Sequence, residues 1–128
     1  MQAPRPDPGH TDGVLSFGGS DRTGRWRING ERFPEVTPVP LALGAGAVLE
    51  IRNVSPTRHP FHLHGLHFEV LSVDGLPPAS PVWADTIDVG VYSTIRLWVP
   101  VDNPGAWMAH CHILPHAEDG MMTFVLAE

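Results

Sequence analysis

The chain has 128 residues, 42% of them apolar and 17% charged, a balance that suits one soluble globular domain and excludes a disordered chain. Its formal net charge is −6, and its eight basic residues are all arginines scattered from Arg5 to Arg96, so it has no basic stripe of the kind that binds nucleic acid. Fourteen prolines and thirteen glycines argue against a helical bundle and for short strands joined by turns.

The opening MQAPRPDPGH has no apolar centre of the kind a secretion signal needs, and no later run is long enough to span a membrane. Residues 1–24 carry Pro4, Pro6 and Pro8, then GHTDG and FGGSDRTG, and read as a linker-like arm laid over a surface. The globular domain is expected over 25–128, beginning at RWRING. Strand-like pieces then recur: AVLEIRNV over 47–54, HFEVLSV over 67–73 before the turn DGLPP, DTIDV over 85–89, STIRLWV over 93–99 and MTFVLA over 122–127. In VDNPGAWMAHCH, a Pro-Gly turn feeds a strand that runs into the cysteine. ILPHAED, over 113–119, could form one helical turn. Seven or eight short strands with turn signals between them predict an all-β, antiparallel Greek-key β-sandwich in a single domain. Trp26, Trp83, Trp98 and Trp107 are expected as its core aromatics.

Seven of the eight histidines lie in two stretches, HPFHLHGLHF (59–68) and HCHILPHAEDGMM (110–122), and the lone cysteine sits between two of them. In an extended chain, neighbouring side chains point to opposite faces. His110 and His112 then share one face while Cys111 takes the other. His62 and His64 likewise share a face, and His59 falls opposite them. Two sites back to back follow, with His62, His64, His110 and His112 on one side and His59 with Cys111 on the other.

The loop after Cys111 is long enough to return His116 and Met121 to the thiolate. Two imidazoles, a thiolate and a weak thioether form the ligand set of a blue-copper electron-transfer site, whereas zinc gains nothing from a thioether. The four-imidazole side suits copper or zinc by softness alone. Copper is favoured there because Cys111 is covalently flanked by His110 and His112, which gives an electron at the sulfur a short route to whatever they bind. His67 is read as a surface or supporting histidine rather than a ligand, and His10 as solvated. Asp85, Asp88, Glu118 and Asp119 are candidates for hydrogen bonds that support the site or for a donor docking face.

These motifs resemble the C-terminal cupredoxin domain of the multicopper oxidases, the laccase-like family, over roughly residues 25–126. The family pattern His-Pro-x-His-x-His-Gly reads HPFHLHG here, and His-Cys-His-x-x-x-His-x-x-x-x-Met reads HCHILPHAEDGM. The resemblance implies a cupredoxin-like fold and a type 1 copper held by His59, Cys111, His116 and Met121. It also implies His62 on a type 2 copper, and His64, His110 and His112 on a type 3 pair. Electrons would enter singly from a small-molecule or metal-ion donor and pass through Cys111 to His110 and His112. The three-copper cluster would then reduce dioxygen to water, in a periplasmic or extracellular setting.

Two positions depart from the family pattern. Leu66 stands where many relatives have a histidine, and Pro115 where some carry a proton-delivering acid, so any proton relay must use another group. The family's cluster also takes eight histidines, and this chain offers four. The other half would come from a second copy across a twofold axis, which is favoured over a trimer, or from other domains. The alternative is a type 1 electron-transfer cupredoxin, or an isolated oxidase domain without oxidase activity.

Overall fold

A computed structural model describes residues 10–18, 26–112 and 120–128, and every regular element within them is a strand. In chain order these are β1 (Gly13–Gly18), β2 (Arg27–Ile28), β3 (Val39–Leu41), β4 (Gly46–Asn53), β5 (His59–Leu63) and β6 (Phe68–Val73). There follow β7 (Trp83–Ala84), β8 (Thr86–Val89), β9 (Thr94–Pro100), β10 (Gly105–Cys111) and β11 (Met122–Ala127). They form a six-stranded sheet in the order β2-β1-β4-β9-β6-β7 and a five-stranded sheet in the order β3-β11-β10-β5-β8. One apolar core lies between them, fed by Leu15, Phe17, Leu49, Ile51 and Leu97 from the first sheet and by Phe61, Leu63, Ala109 and Val125 from the second. The fold is the all-β, two-sheet Greek-key sandwich that the strand pattern predicts, in the cupredoxin-like form that the resemblance implies. Among the described residues there is no helix, and so none long and apolar enough to cross a membrane.

Alternation decides what each strand buries. β11 reads Met-Thr-Phe-Val-Leu-Ala, and its second, fourth and sixth residues are buried. β9 pairs with β4 over seven residues, from Gly46 with Pro100 to Arg52 with Thr94, and forms the centre of the larger sheet. β5 lies between β10 and β8, with His110 opposite His62 on one side and Thr86 opposite it on the other.

Three expectations need correction. Part of the predicted arm is a strand: β1 pairs in parallel with β4 from Gly13 beside Leu49 to Phe17 beside Asn53. Leu15 and Phe17 are wholly buried, and burial of two such side chains stabilises the fold by roughly 1.5–3 kcal/mol each. The segment escapes notice because only two of its residues point inward and glycines flank it. Second, the sandwich is not purely antiparallel, since β1 runs parallel to β4 and β3 parallel to β11. Third, Trp83 is 47% exposed on the short edge strand β7, where it packs edge-on against the buried Trp98. A two-residue edge strand has no second layer to cover its outer side chain. The helical turn expected over 113–119 lies outside the described residues.

Candidate metal centres

β5 and β10 carry both sites, and the pleat divides them. Along β5, His59, Phe61 and Leu63 are buried, while Pro60 and His62 are half-buried on the other face. Along β10, Ala109 and Cys111 are buried and His110 faces outward with His62. Beyond the strand ends His64 is half-buried and His112 exposed. The two-faced arrangement read from the sequence is therefore the arrangement in the fold.

The strand that carries His62 is locked at its far end by glycine. Gly65 has φ +74°, and a Cβ there would sit 2.1 Å from the Trp107 ring, so no other residue fits without moving β10. Asn103 Nδ2 donates to the Gly65 carbonyl at 2.9 Å, and Trp107 Nε1 donates to the Asn103 carbonyl at 2.9 Å. His64 N donates to the Met108 carbonyl at 2.9 Å, which continues the pairing past the strand.

On the buried face, His59 and Cys111 are both fully enclosed, with His59 Nδ1 3.5 Å from Cys111 Sγ. Phe17 presents its ring edge-on to His59 at 5.8 Å, and Trp26 does so at 4.7 Å. Met121 is fully buried, and its carbonyl accepts from the Cys111 amide at 3.4 Å. His116, the other residue expected here, lies outside the described residues, as do Pro115, Glu118 and Asp119.

On the outer face, four imidazoles gather. Ring centroids are 4.5 Å apart for His62 and His64, 5.1 Å for His64 and His110, and 5.5 Å for His62 and His110. His112 stands 5.6 Å from His62 and stacks on His110 at 6.1 Å. One ring nitrogen from each of His62, His64 and His110 lies within 4.8 Å of the others, close enough to converge on a metal. His67 is exposed and outside this group, as expected. His10 is also exposed, paired with Asp12 at 2.8 Å.

The hydrogen bonds dictate which nitrogens are available. His62 Nδ1 faces the Asp85 backbone carbonyl at 3.0 Å and Thr86 Oγ1 at 2.8 Å. The Thr86 hydroxyl donates to Asp85 Oδ1 at 2.9 Å, so its lone pair is what His62 meets. Both neighbours accept, so Nδ1 carries the proton and Nε2 is left bare toward the cluster. His110 Nδ1 donates to the Cys111 carbonyl at 2.8 Å, which likewise frees its Nε2. That Nε2 lies 2.9 Å from His64 Nε2. Burial holds both His64 and His110 below the ordinary histidine range, and the neighbouring imidazoles push the same way. For His110 the bond to the Cys111 carbonyl opposes the shift. Neutral rings are the form that binds metal.

Sequence reasoning named Asp85 as a supporting residue but missed Thr86, and it missed Asn53 and Ser55 altogether. Ser55 Oγ lies 3.0 Å from His59 Nε2, and both residues are buried. The signal was present as NVSPT ending two residues before the first histidine motif, yet it reads as an ordinary turn.

Similarity to known proteins agrees with this geometry. The family described as multicopper oxidase matches residues 6–128. The chain is 37% identical over 119 residues to multicopper oxidase MmcO of Mycobacterium tuberculosis, covering 93% of this chain and 23% of that protein. It is 40% identical over 102 residues to multicopper oxidase mco of Staphylococcus epidermidis, covering 74% of this chain and 23% of the relative. The crystal structure of McoA multicopper oxidase from Aquifex aeolicus superposes with a TM-score of 0.81 at 26% identity, over 100% of this chain and 31% of that one. The chain thus spans about a quarter of the length of these curated relatives. With the motifs filled, the sandwich matched and an imidazole cluster that suits copper, the chain belongs to the multicopper oxidase family.

Proposed function

We propose that this chain is the copper-bearing domain of an oxidase that couples oxidation of a reducing substrate to reduction of dioxygen. The observation that carries the reading is the division of these side chains by the pleat, with a cysteine sulfur beside an imidazole inside and an imidazole cluster outside, joined through adjacent residues of β10. In this reading His59, Cys111, His116 and Met121 hold a type 1 copper, His62 a type 2 copper, and His64, His110 and His112 a type 3 pair. Copper, when bound, supplies one-electron acceptance at the thiolate pole and reduction of dioxygen to water at the imidazole face.

The chain's own residues supply the rest. Cys111 sits inside the core, where its environment excludes water from the sulfur. His110 is tied to Cys111 twice, by the peptide bond and by the Nδ1–H bond to the Cys111 carbonyl, which shortens the route between the two poles. The Asp85 carbonyl and Thr86 hydroxyl hold His62 with Nε2 toward the cluster. Asp85 is an exposed acid at this face and a candidate for the proton-handling group that Pro115 does not supply.

The imidazole face offers four histidines where the family's cluster takes eight. A second copy across a twofold axis would supply the other four, because an isologous contact places identical faces opposite one another. Further domains of a longer protein would do the same, and the quarter-length match to the relatives favours that route. A chain acting alone would then be a type 1 electron carrier. The setting that accompanies this reading is periplasmic or extracellular, and the donor is a small molecule or metal ion.

Copper content of the reconstituted, desalted chain, measured with its oligomeric state, tests these routes. About 2.5 coppers per chain in a dimer supports the shared cluster. About one per chain in a blue monomer assigns the missing half to other domains. A chain that binds copper without any blue absorption contradicts the type 1 assignment.

A further inference from the structure

The two nitrogens of the buried His59 ring face different groups. Nδ1 faces Cys111 Sγ at 3.5 Å, and Nε2 faces Ser55 Oγ at 3.0 Å. The Ser55 hydroxyl has one proton to give, and two acceptors lie in reach: Asn53 Oδ1 at 2.7 Å and the Thr57 carbonyl at 3.0 Å. Neither can donate in return. Turning the Asn53 amide over does not help, because its Nδ2 now donates to the carbonyls of Thr57 at 2.8 Å, Gly90 at 2.9 Å and Val89 at 3.3 Å. A reversed amide would aim an oxygen at three oxygens. The Ser55 proton therefore points away from His59, and a Ser55 lone pair receives the proton of Nε2. Nδ1, facing the sulfur, is then the unprotonated nitrogen.

From this geometry we infer that Ser55 is a positioning residue for the buried pole, selecting Nδ1 of His59 as the metal donor and fixing the aim of the ring before any metal arrives. The inference rests on the reading above that His59 and Cys111 bind copper. The outer face uses the opposite choice, since His62 and His110 keep Nδ1 protonated and present Nε2. One chain thus holds both imidazole tautomers, each written by its hydrogen-bond partner.

The anchor of the device is Asn53. It closes β4 of the six-stranded sheet, while Val89 closes β8 of the five-stranded sheet. Its buried amide ties the two sheets together at this end, so the His59 ring is referenced to both. Phe17 and Trp26 hold the ring by its sides, but shape alone does not distinguish one nitrogen from the other. Ser55→Ala removes the acceptor for Nε2 and leaves Asn53 Oδ1 with the Ser55 backbone amide at 3.1 Å, so the tie between the sheets survives.

The test is nitrogen NMR of the histidine rings in the metal-free full chain, followed by copper(II) titration read at the blue band. In the parent chain His59 should show a protonated Nε2 and a bare Nδ1, a measurement that needs no variant. Ser55→Ala should mix or reverse that tautomer and weaken copper binding at the blue site about ten- to a hundredfold. Ser55→Thr should restore both. A parent His59 protonated at Nδ1, or a Ser55→Ala tautomer and blue-site affinity equal to the parent's, overturns the role of Ser55. A parent chain with the expected tautomer but no blue band overturns the copper assignment and the positioning role with it, while leaving Ser55 in control of the ring.

Discussion

The two faces of β5 and β10 are built from alternate residues of the same ten or so positions, yet they differ in nearly every physical respect. The inner face has His59 and Cys111 sealed from water among Phe17, Trp26 and Phe61, and its hydrogen bonds end on backbone carbonyls inside the fold. The outer face has four imidazoles half-buried or exposed, supported by the exposed Asp85 and Thr86. The inner site is enclosed by this chain's own core. The outer one is an open surface, with His112 exposed and the other three rings half-buried. Enclosure favours a site that only passes electrons, and openness favours one that must admit dioxygen and protons.

The comparison can be broken most decisively at Cys111. Cys111→Ser is expected to abolish the blue absorption and, in the assembled oxidase proposed above, all donor oxidation; retained donor oxidation would mean that electrons enter elsewhere. His110→Ala is the mirror experiment: in the assembled oxidase proposed above, oxygen consumption should be lost with the blue band intact. Loss of the blue band in that variant would show that the two faces are not separable.

A smaller effect sharpens the contrast on the inner side. Phe17→Ala removes a fully buried ring that packs on both His59 and Phe61, and should lower stability by about 3–5 kcal/mol in denaturant unfolding. A change near zero would mean that β1 is not an integral strand. On the outer side, Thr86→Val deletes one of the two acceptors of His62 Nδ1 and should weaken copper at that face by about tenfold with the blue band unmoved. A moved blue band would indicate coupling through β5.

The smallest effect is a pH dependence. His64 and His110 have folded pKa values below the 6.5 of a free histidine, chiefly because burial disfavours the charged ring. Below that value the unfolded chain binds more protons than the folded one, so this contribution to stability is complete above pH 6.5 and declines as the pH falls further. The Tm of the metal-free chain should therefore drop with acidification through this range, and His110→Phe should flatten the drop. A Tm that rose instead would reverse the sign assigned to these rings.

Local patterns were legible in the sequence wherever two-residue alternation coincided with burial. MTFVLA over 122–127 is β11 residue for residue, and the division of the histidines between faces followed from parity alone. What could not be read was anything that depends on a distant partner. GVLSFG is a strand because β4 lies beside it, not because its own residues insist on one. Asn53 and Ser55 look like turn residues until the sheets close and bring Val89, Gly90 and His59 against them. Trp83 looks like core because of its size, and only the brevity of β7 leaves it outside.

The pairing of His110 with His62 and of Cys111 with Phe61 also limits how such a chain can change. A single residue inserted or deleted between Ala109 and Cys111 would turn the side chains that follow in the strand to the opposite side of the sheet. The thiol would then emerge among the imidazoles, and a histidine would be driven into the core. Substitutions can accumulate along these strands one at a time, but changes in length cannot, because each would exchange the two chemistries at a stroke.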